Sequence, residues 1–290
     1  MRAGIYLAST AMAVVIGTAA WAADPVLVVD QQQFEERYEA KPAVSGINGK
    51  IEAAYTWYDI DGLDDDLDLW SGAGAISIPL GHSFGLQVDG GIGRYDGGGQ
   101  SATGYGVAGH LFWRNPDMAL VGLYGDYQRI SDFDITTWRI GVEAELYLDR
   151  ISLEGFAGAE NVDLGGADET YFSGEALAAF YLTDDFRIHA GAGHRFDELY
   201  GIVGAEAMLP FGGNNVALFT DATFSEDVTS VRGGVRVYFG EAGKSLMARH
   251  REDDPRIRLF DPFVGDAFGG EEACIPDSEF PEFCEGEVPS

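Results

Sequence analysis

Between residues 48 and 240, polar and apolar side chains alternate with a period of two, in short runs separated by turn-forming residues. A two-residue period puts successive side chains on opposite faces, the signature of a β-strand with one apolar face. Twelve such runs are read, at 48–58, 67–79, 83–95, 101–114, 117–130, 133–149, 151–162, 169–182, 185–196, 198–209, 214–224 and 228–239. Most span 10–14 residues. A tilted bilayer crossing takes about 9–11, whereas strands of ordinary sheets average about 5–6. No helical period interrupts the series. The pattern predicts one all-β body.

The faces separate cleanly. In 133–149, Trp138, Ile140, Val142, Ala144, Leu146 and Leu148 share one face, and Arg139, Gly141, Glu143, Glu145 and Tyr147 the other. Aromatic residues gather at the ends of the apolar faces. Trp57, Trp70, Tyr127 and Trp138 fall near one end, and Phe84, Trp113, Phe186 and Phe239 near the other. Paired aromatic girdles around an apolar band mark a sheet that faces lipid. A soluble sandwich or lipocalin-like barrel would turn the apolar face inward. Its outer face would then carry Lys, Thr and Ser, yet here the polar face is crowded with Gly, Ala, Glu and Arg.

The connections alternate in kind. Tight turns such as PLGHS (79–83) and LTDD (182–185) follow even-numbered strands, and polar loops follow odd-numbered ones. Those loops hold fifteen acidic residues and no Lys or Arg. DIDGLDDDLD (59–68) is the densest, and its oxygens suit a hard divalent cation, but the spacing matches no EF-hand loop. The plainer reading is a solvated acidic loop that keeps neighbours apart.

Short turns on one side and longer loops on the other are the asymmetry of up-and-down outer-membrane barrels. The run Arg232-Gly-Gly234-Val-Arg-Val237-Tyr-Phe239 resembles the last-strand signal of that class, with a polar residue and a glycine ahead of alternating apolar and aromatic residues. In architecture the chain resembles porin-like bacterial outer-membrane barrels. The expected fold is a closed antiparallel up-and-down transmembrane β-barrel of about twelve strands, over residues 48–240. An even strand count is expected to leave both chain ends in the periplasm.

The inward faces carry the charges that bear on function. Asp126, Glu143, Glu145, Glu154, Glu160 and Glu175 lie on strands five to eight, and Arg139 on strand six. Arg187, Arg195, Arg232, Arg236 and Lys50 lie on strands nine, twelve and one. Opposed arcs of charge across a wet constriction orient dipolar solutes and sort ions. Glu143, Glu145, Glu154, Glu175, Asp126, Arg139, Arg187, Arg195, Arg232 and Arg236 are therefore the candidate constriction. Inward glycines such as Gly104, Gly106, Gly122, Gly141 and Gly234 leave room for water. Two readings stay open: a channel for small cationic or dipolar solutes, or a closed structural barrel whose acids and arginines satisfy one another, serving envelope integrity or tethering a periplasmic partner through its tail.

The ends set the compartment. Arg2, the apolar run Ala11–Val15 and Ala20-Trp21-Ala22 predict a secretory signal peptide over 1–22, followed by a periplasmic segment over 23–47. Residues 241–290 are expected to form a largely disordered periplasmic tail, its basic stretch 244–258 giving way to an acidic block. Cys274 and Cys284 sit in that block, and in an exported chain they read as a local disulfide. The expected partners are outer-membrane lipid, lipopolysaccharide and the barrel-assembly machinery. A net charge of −30 excludes nucleic acid. No metal or cofactor is expected. The chain is not read as an enzyme: His194 with Asp197 and Glu198 offers only a rim histidine, and no G-x-S-x-G motif accompanies it.

Overall fold

The computed structural model describes residues 41–61, 66–132, 134–164, 168–210 and 213–261. The signal peptide, the two cysteines and the centre of the 59–68 loop lie outside these residues.

Twelve strands form: β1 (Asn48–Ile60), β2 (Leu67–Leu80), β3 (Phe84–Gly97), β4 (Gln100–Asn115), β5 (Ala119–Ile130), β6 (Ile135–Leu148), β7 (Ile151–Leu164), β8 (Asp168–Thr183), β9 (Phe186–Arg195), β10 (Glu198–Met208), β11 (Val216–Phe224) and β12 (Val228–Phe239). Each pairs antiparallel with its neighbours in sequence, and β12 closes on β1. The closing register sets Glu52 opposite Arg236, Ala53 opposite Val235 and Thr56 opposite Arg232. Closure leaves no strand edge unpaired, a requirement where lipid offers no hydrogen bonds.

The side chains divide as the alternation predicts. Ile76, Val88, Val107, Leu123, Ile140 and Val142 are exposed and form an outer belt. Trp70, Tyr105, Tyr127, Trp138 and Phe172 flank it toward the loops, and Phe84, Phe180, Phe186 and Phe239 toward the turns. This is the exterior of a membrane barrel. Two of the six loop-side connections are hairpin turns and not extended polar loops. Gly98-Gly99 and Phe196-Asp197 are two-residue turns in which every φ is positive, between 50° and 74°. Such turns match the twist of paired strands, so β3, β4, β9 and β10 continue to their tips.

The larger difference lies after the barrel. The sequence leads one to expect residues 241–290 outside the barrel as a tail, whereas residues 245–252 close over its turn end and residues 253–261 run into the lumen. A short helix, α1 (Leu246–Glu252), starts at Ser245, whose Oγ accepts from the Ala248 amide at 3.3 Å. The Leu246 amide donates to Asp185 Oδ1 at 3.1 Å, and the Met247 amide to the Asp184 carbonyl at 2.9 Å, docking α1 on the β8–β9 turn. From Asp253 the chain enters the barrel, and Ile257, Leu259 and Phe260 join the main buried cluster with Tyr58, Leu69, Tyr124 and Phe156. The hydrophobic core of this protein is thus its lumen.

Candidate functional site in the barrel lumen

Residues 253–261 pair with no strand among the described residues, and side chains of the wall take up their backbone groups. Arg114 donates to the Asp253 carbonyl at 3.0 Å. Lys50 and Gln87 donate to the Pro255 carbonyl at 2.6 and 3.2 Å. Arg139 donates to the Arg258 carbonyl at 2.8 Å, and the Phe260 amide donates to Gln128 Oε1 at 3.2 Å. The segment's own charges pair with the wall as well. Arg256 and Arg258 meet Glu175 at 2.9 and 3.0 Å, and Asp261 lies 3.0 Å from Arg256 and 3.8 Å from Arg232. The guanidinium of Arg258 also stands over the rings of Phe156 and Tyr124.

The inward glycines form the seat. A Cβ built on Gly91 would come within 2.7 Å of the Phe260 ring, and one on Gly106 within 3.0 Å of Leu259. A Cβ built on Gly93 or Gly104 would lie 3.4 or 3.5 Å from the same ring. The remaining glycine spaces are filled by neighbouring wall groups: Phe112 beside Gly122, Phe156 and the β7 backbone beside Gly141, Phe219 beside Gly234. The room read from sequence as water is occupied by side chains.

Every candidate constriction residue points into the lumen, and each finds a partner there. Asp126 pairs with Arg139 at 2.6 Å, Glu154 with Arg187 at 2.8 Å, and Glu160 with Arg195. Glu52 bridges Arg232 at 2.5 Å and Arg236 at 2.7 Å, and Arg236 reaches on to Glu206 at 2.7 Å. Glu145 accepts from the Tyr147 hydroxyl at 2.8 Å and stands opposite Glu154 in the β6–β7 register. The arcs of opposite sign expected from sequence are therefore knitted together, because long Arg and Glu side chains reach across one or two strands. A buried ion pair leaves no free charge to orient a solute.

Three parts of the site were not singled out from sequence. His110 lies fully buried between Asp89 at 3.1 Å and Glu143 at 3.0 Å. Arg114, also buried, holds the carbonyls of Ala43 and Asp253. The third is the C-terminal segment itself. His194 does not assemble a catalytic pair with its neighbours: its Nδ1 contacts the Phe172 carbonyl at 3.1 Å, and Glu198 accepts from the Glu226 and Asp227 amides instead.

At the turn end the entrance is latched. Lys41 and Lys244 contact Glu252 at 2.7 and 3.1 Å, and Lys244 also contacts Asp253 at 2.7 Å. Burial pushes the Glu252 carboxyl up, but the hydrogen bonds and charges of the two lysines carry it below the ordinary carboxylate range.

No family model matches this sequence, and no curated protein matches it. Solved structures do. The KdgM porin in complex with disordered oligogalacturonate superimposes with a TM-score of 0.50 at 11% identity, covering 66% of this chain and 99% of that one. The COG4313 outer membrane channel from Pseudomonas putida F1 gives 0.51 at 13% identity, covering 70% and 98%. An outer membrane phospholipase A from Escherichia coli gives 0.41 at 14% identity, covering 69% and 92%. Together with the lipid-facing belt, the first two likenesses show the fold of a closed outer-membrane β-barrel.

Proposed function

We propose that this protein is a porin-like channel of the outer membrane, exported by a cleaved leader over residues 1–22 and held shut by its own C-terminal segment. The occupied lumen carries this reading. With residues 245–261 in place, the cavity beside Lys50, His250 and Asp254 measures about 50 Å³. At roughly 10–15 Å³ per enclosed water, it holds a few waters. When the segment leaves, the wall it exposes carries more acid than base. Glu175 loses both of its arginine partners, and Glu145 and Glu154 face the vacated space. A wall of that sign draws cations and dipolar solutes. Lipopolysaccharide and lipid would contact the outer belt, and Arg232–Phe239 would present β12 to the assembly machinery.

The density of buried pairs favours a second reading, a barrel that never opens. Planar-bilayer recording separates the two. The unmodified protein should be largely silent, and Leu259→Ala/Phe260→Ala should give steady steps with a cation-selective reversal potential in a salt gradient. Silence of the double variant while it remains folded supports the permanently closed barrel. Anion preference of the opened variant overturns the solute assignment.

A further inference from the structure

The C-terminal segment has a direction. Residues 41–45 mark the turn end, where the Ala43 amide bonds the His82 carbonyl and Lys41 approaches Asp117. The segment starts at that same end, with the Ser45 amide on the Glu252 carbonyl. From there its contacts climb the wall in order. Pro255 meets Lys50 and Gln87, close to the starts of β1 and β3. Arg256 and Arg258 meet Glu175, half-way along β8. The Arg258 carbonyl meets Arg139, on the loop-side part of β6. Phe260 meets Gln128, near the loop end of β5, and Asp261 lies between Arg256 and Arg232, the latter in the loop-side half of β12. Ile130, Ile135 and Phe196, which border loop-side connections, line the cavity of about 50 Å³ beside Phe260 and Asp261.

We infer that residues 253–261 are a thirteenth crossing of the membrane, made inside the barrel after the helix docked at the turn end, and that the chain after Asp261 leaves at the loop end, on the cell exterior. The even strand count alone returns both chain ends to the turn side, and this crossing reverses the outcome for the C-terminus. The twenty-nine residues from 262 to 290, with eight carboxylates, no Lys or Arg, and both cysteines, would then form a surface peptide anchored by its own barrel. This location removes the tail from any periplasmic partner. It rests on the path of the described segment and holds whether or not the barrel ever conducts.

The experiment uses the full chain in intact cells, with Cys274→Ser/Cys284→Ser as background and single cysteines labelled by a membrane-impermeant maleimide. Ser101→Cys reports the loop end, His82→Cys the turn end and Ser290→Cys the tail, each accepted only when the protein keeps its heat-dependent gel shift. Ser290→Cys should label in intact cells alongside Ser101→Cys, and His82→Cys only after the outer membrane is permeabilised. Labelling of Ser290→Cys that requires permeabilisation, as for His82→Cys, overturns the inference. Conductance of Leu259→Ala/Phe260→Ala in the same background separates this result from the channel reading: a labelled tail on the seated protein, with a double variant that stays folded and silent, keeps the crossing and removes the channel.

Discussion

Phe260 is the residue on which seating of the lumen segment depends most. It is 4% exposed, its ring lies in the cup made by Gly91, Gly93 and Gly104, and its amide is held by Gln128. Phe260→Ala removes the ring from a site whose glycine walls have no side chains with which to refill it. Buried Phe→Ala changes cost about 3–5 kcal/mol. At about 1.36 kcal/mol per factor of ten, the undocked population should rise by roughly 10²–10⁴. The backbone adds an internal check. Phe260 has φ of 55°, a left-handed conformation that costs a non-glycine residue about 1–2 kcal/mol. Alanine keeps that cost and glycine removes it, so Phe260→Gly should undock less than Phe260→Ala, the reverse of the order at an ordinary buried site. Hydrogen exchange at the residue 260 amide reads the docking equilibrium directly. In Phe260→Ala its protection should fall by two orders of magnitude or more while amides of β3 and β4 keep theirs. Unchanged protection at 260, or loss shared equally by the strands, would refute the seating and its independence from the barrel.

Other outcomes follow from the same geometry. Val142 faces lipid near the middle of β6 and is 53% exposed, so Val142→Lys should cost about 2–4 kcal/mol in urea unfolding from vesicles. Gly141 lies on the opposite face of the same strand, turned into the lumen. A Cβ there would come within 2.7 Å of the Gly158 Cα, so Gly141→Leu should force β6 and β7 apart and reduce the yield of folded barrel in refolding assays. The Glu252 carboxyl is held below its free value, so its contribution to the latch is present above pH about 4.3 and is lost as pH falls through the folded value. Exchange of the Ser45 amide, corrected for intrinsic rate, should therefore quicken in acid, and Glu252→Gln should abolish that dependence.

The barrel was legible because lipid imposes one rule on every strand. Outward positions must be apolar, so Ile140 and Val142 repeat on the same face that Val231, Val235 and Phe239 occupy on β12. The lumen obeys no such rule. Gly91 and Gly106 look alike whether water or a side chain fills the space beside them, and only the fold brings Phe260 and Leu259 there. The segment also hid its nature. Arg256, Ile257, Arg258 and Leu259 alternate as a strand would, but the run is short, follows Pro255 and pairs with no ladder. Its partner was visible only as an unexplained surplus of inward acid around Glu175. His110 was missed because Asp89 and Glu143 lie far from it in sequence and meet it only through the registers of β3, β4, β5 and β6.

The measurement that bears most directly on the occupied lumen is site-specific photo-cross-linking from position 260 in the intact protein. A diazirine side chain in place of Phe260 should join peptides of β3 and β4 around Gly91, Gly93 and Gly104. Cross-links confined to the turns near His82 and Asp184, or absent from a barrel that still shows its heat-dependent gel shift, would place the segment outside the lumen and contradict the closed, self-occupied barrel.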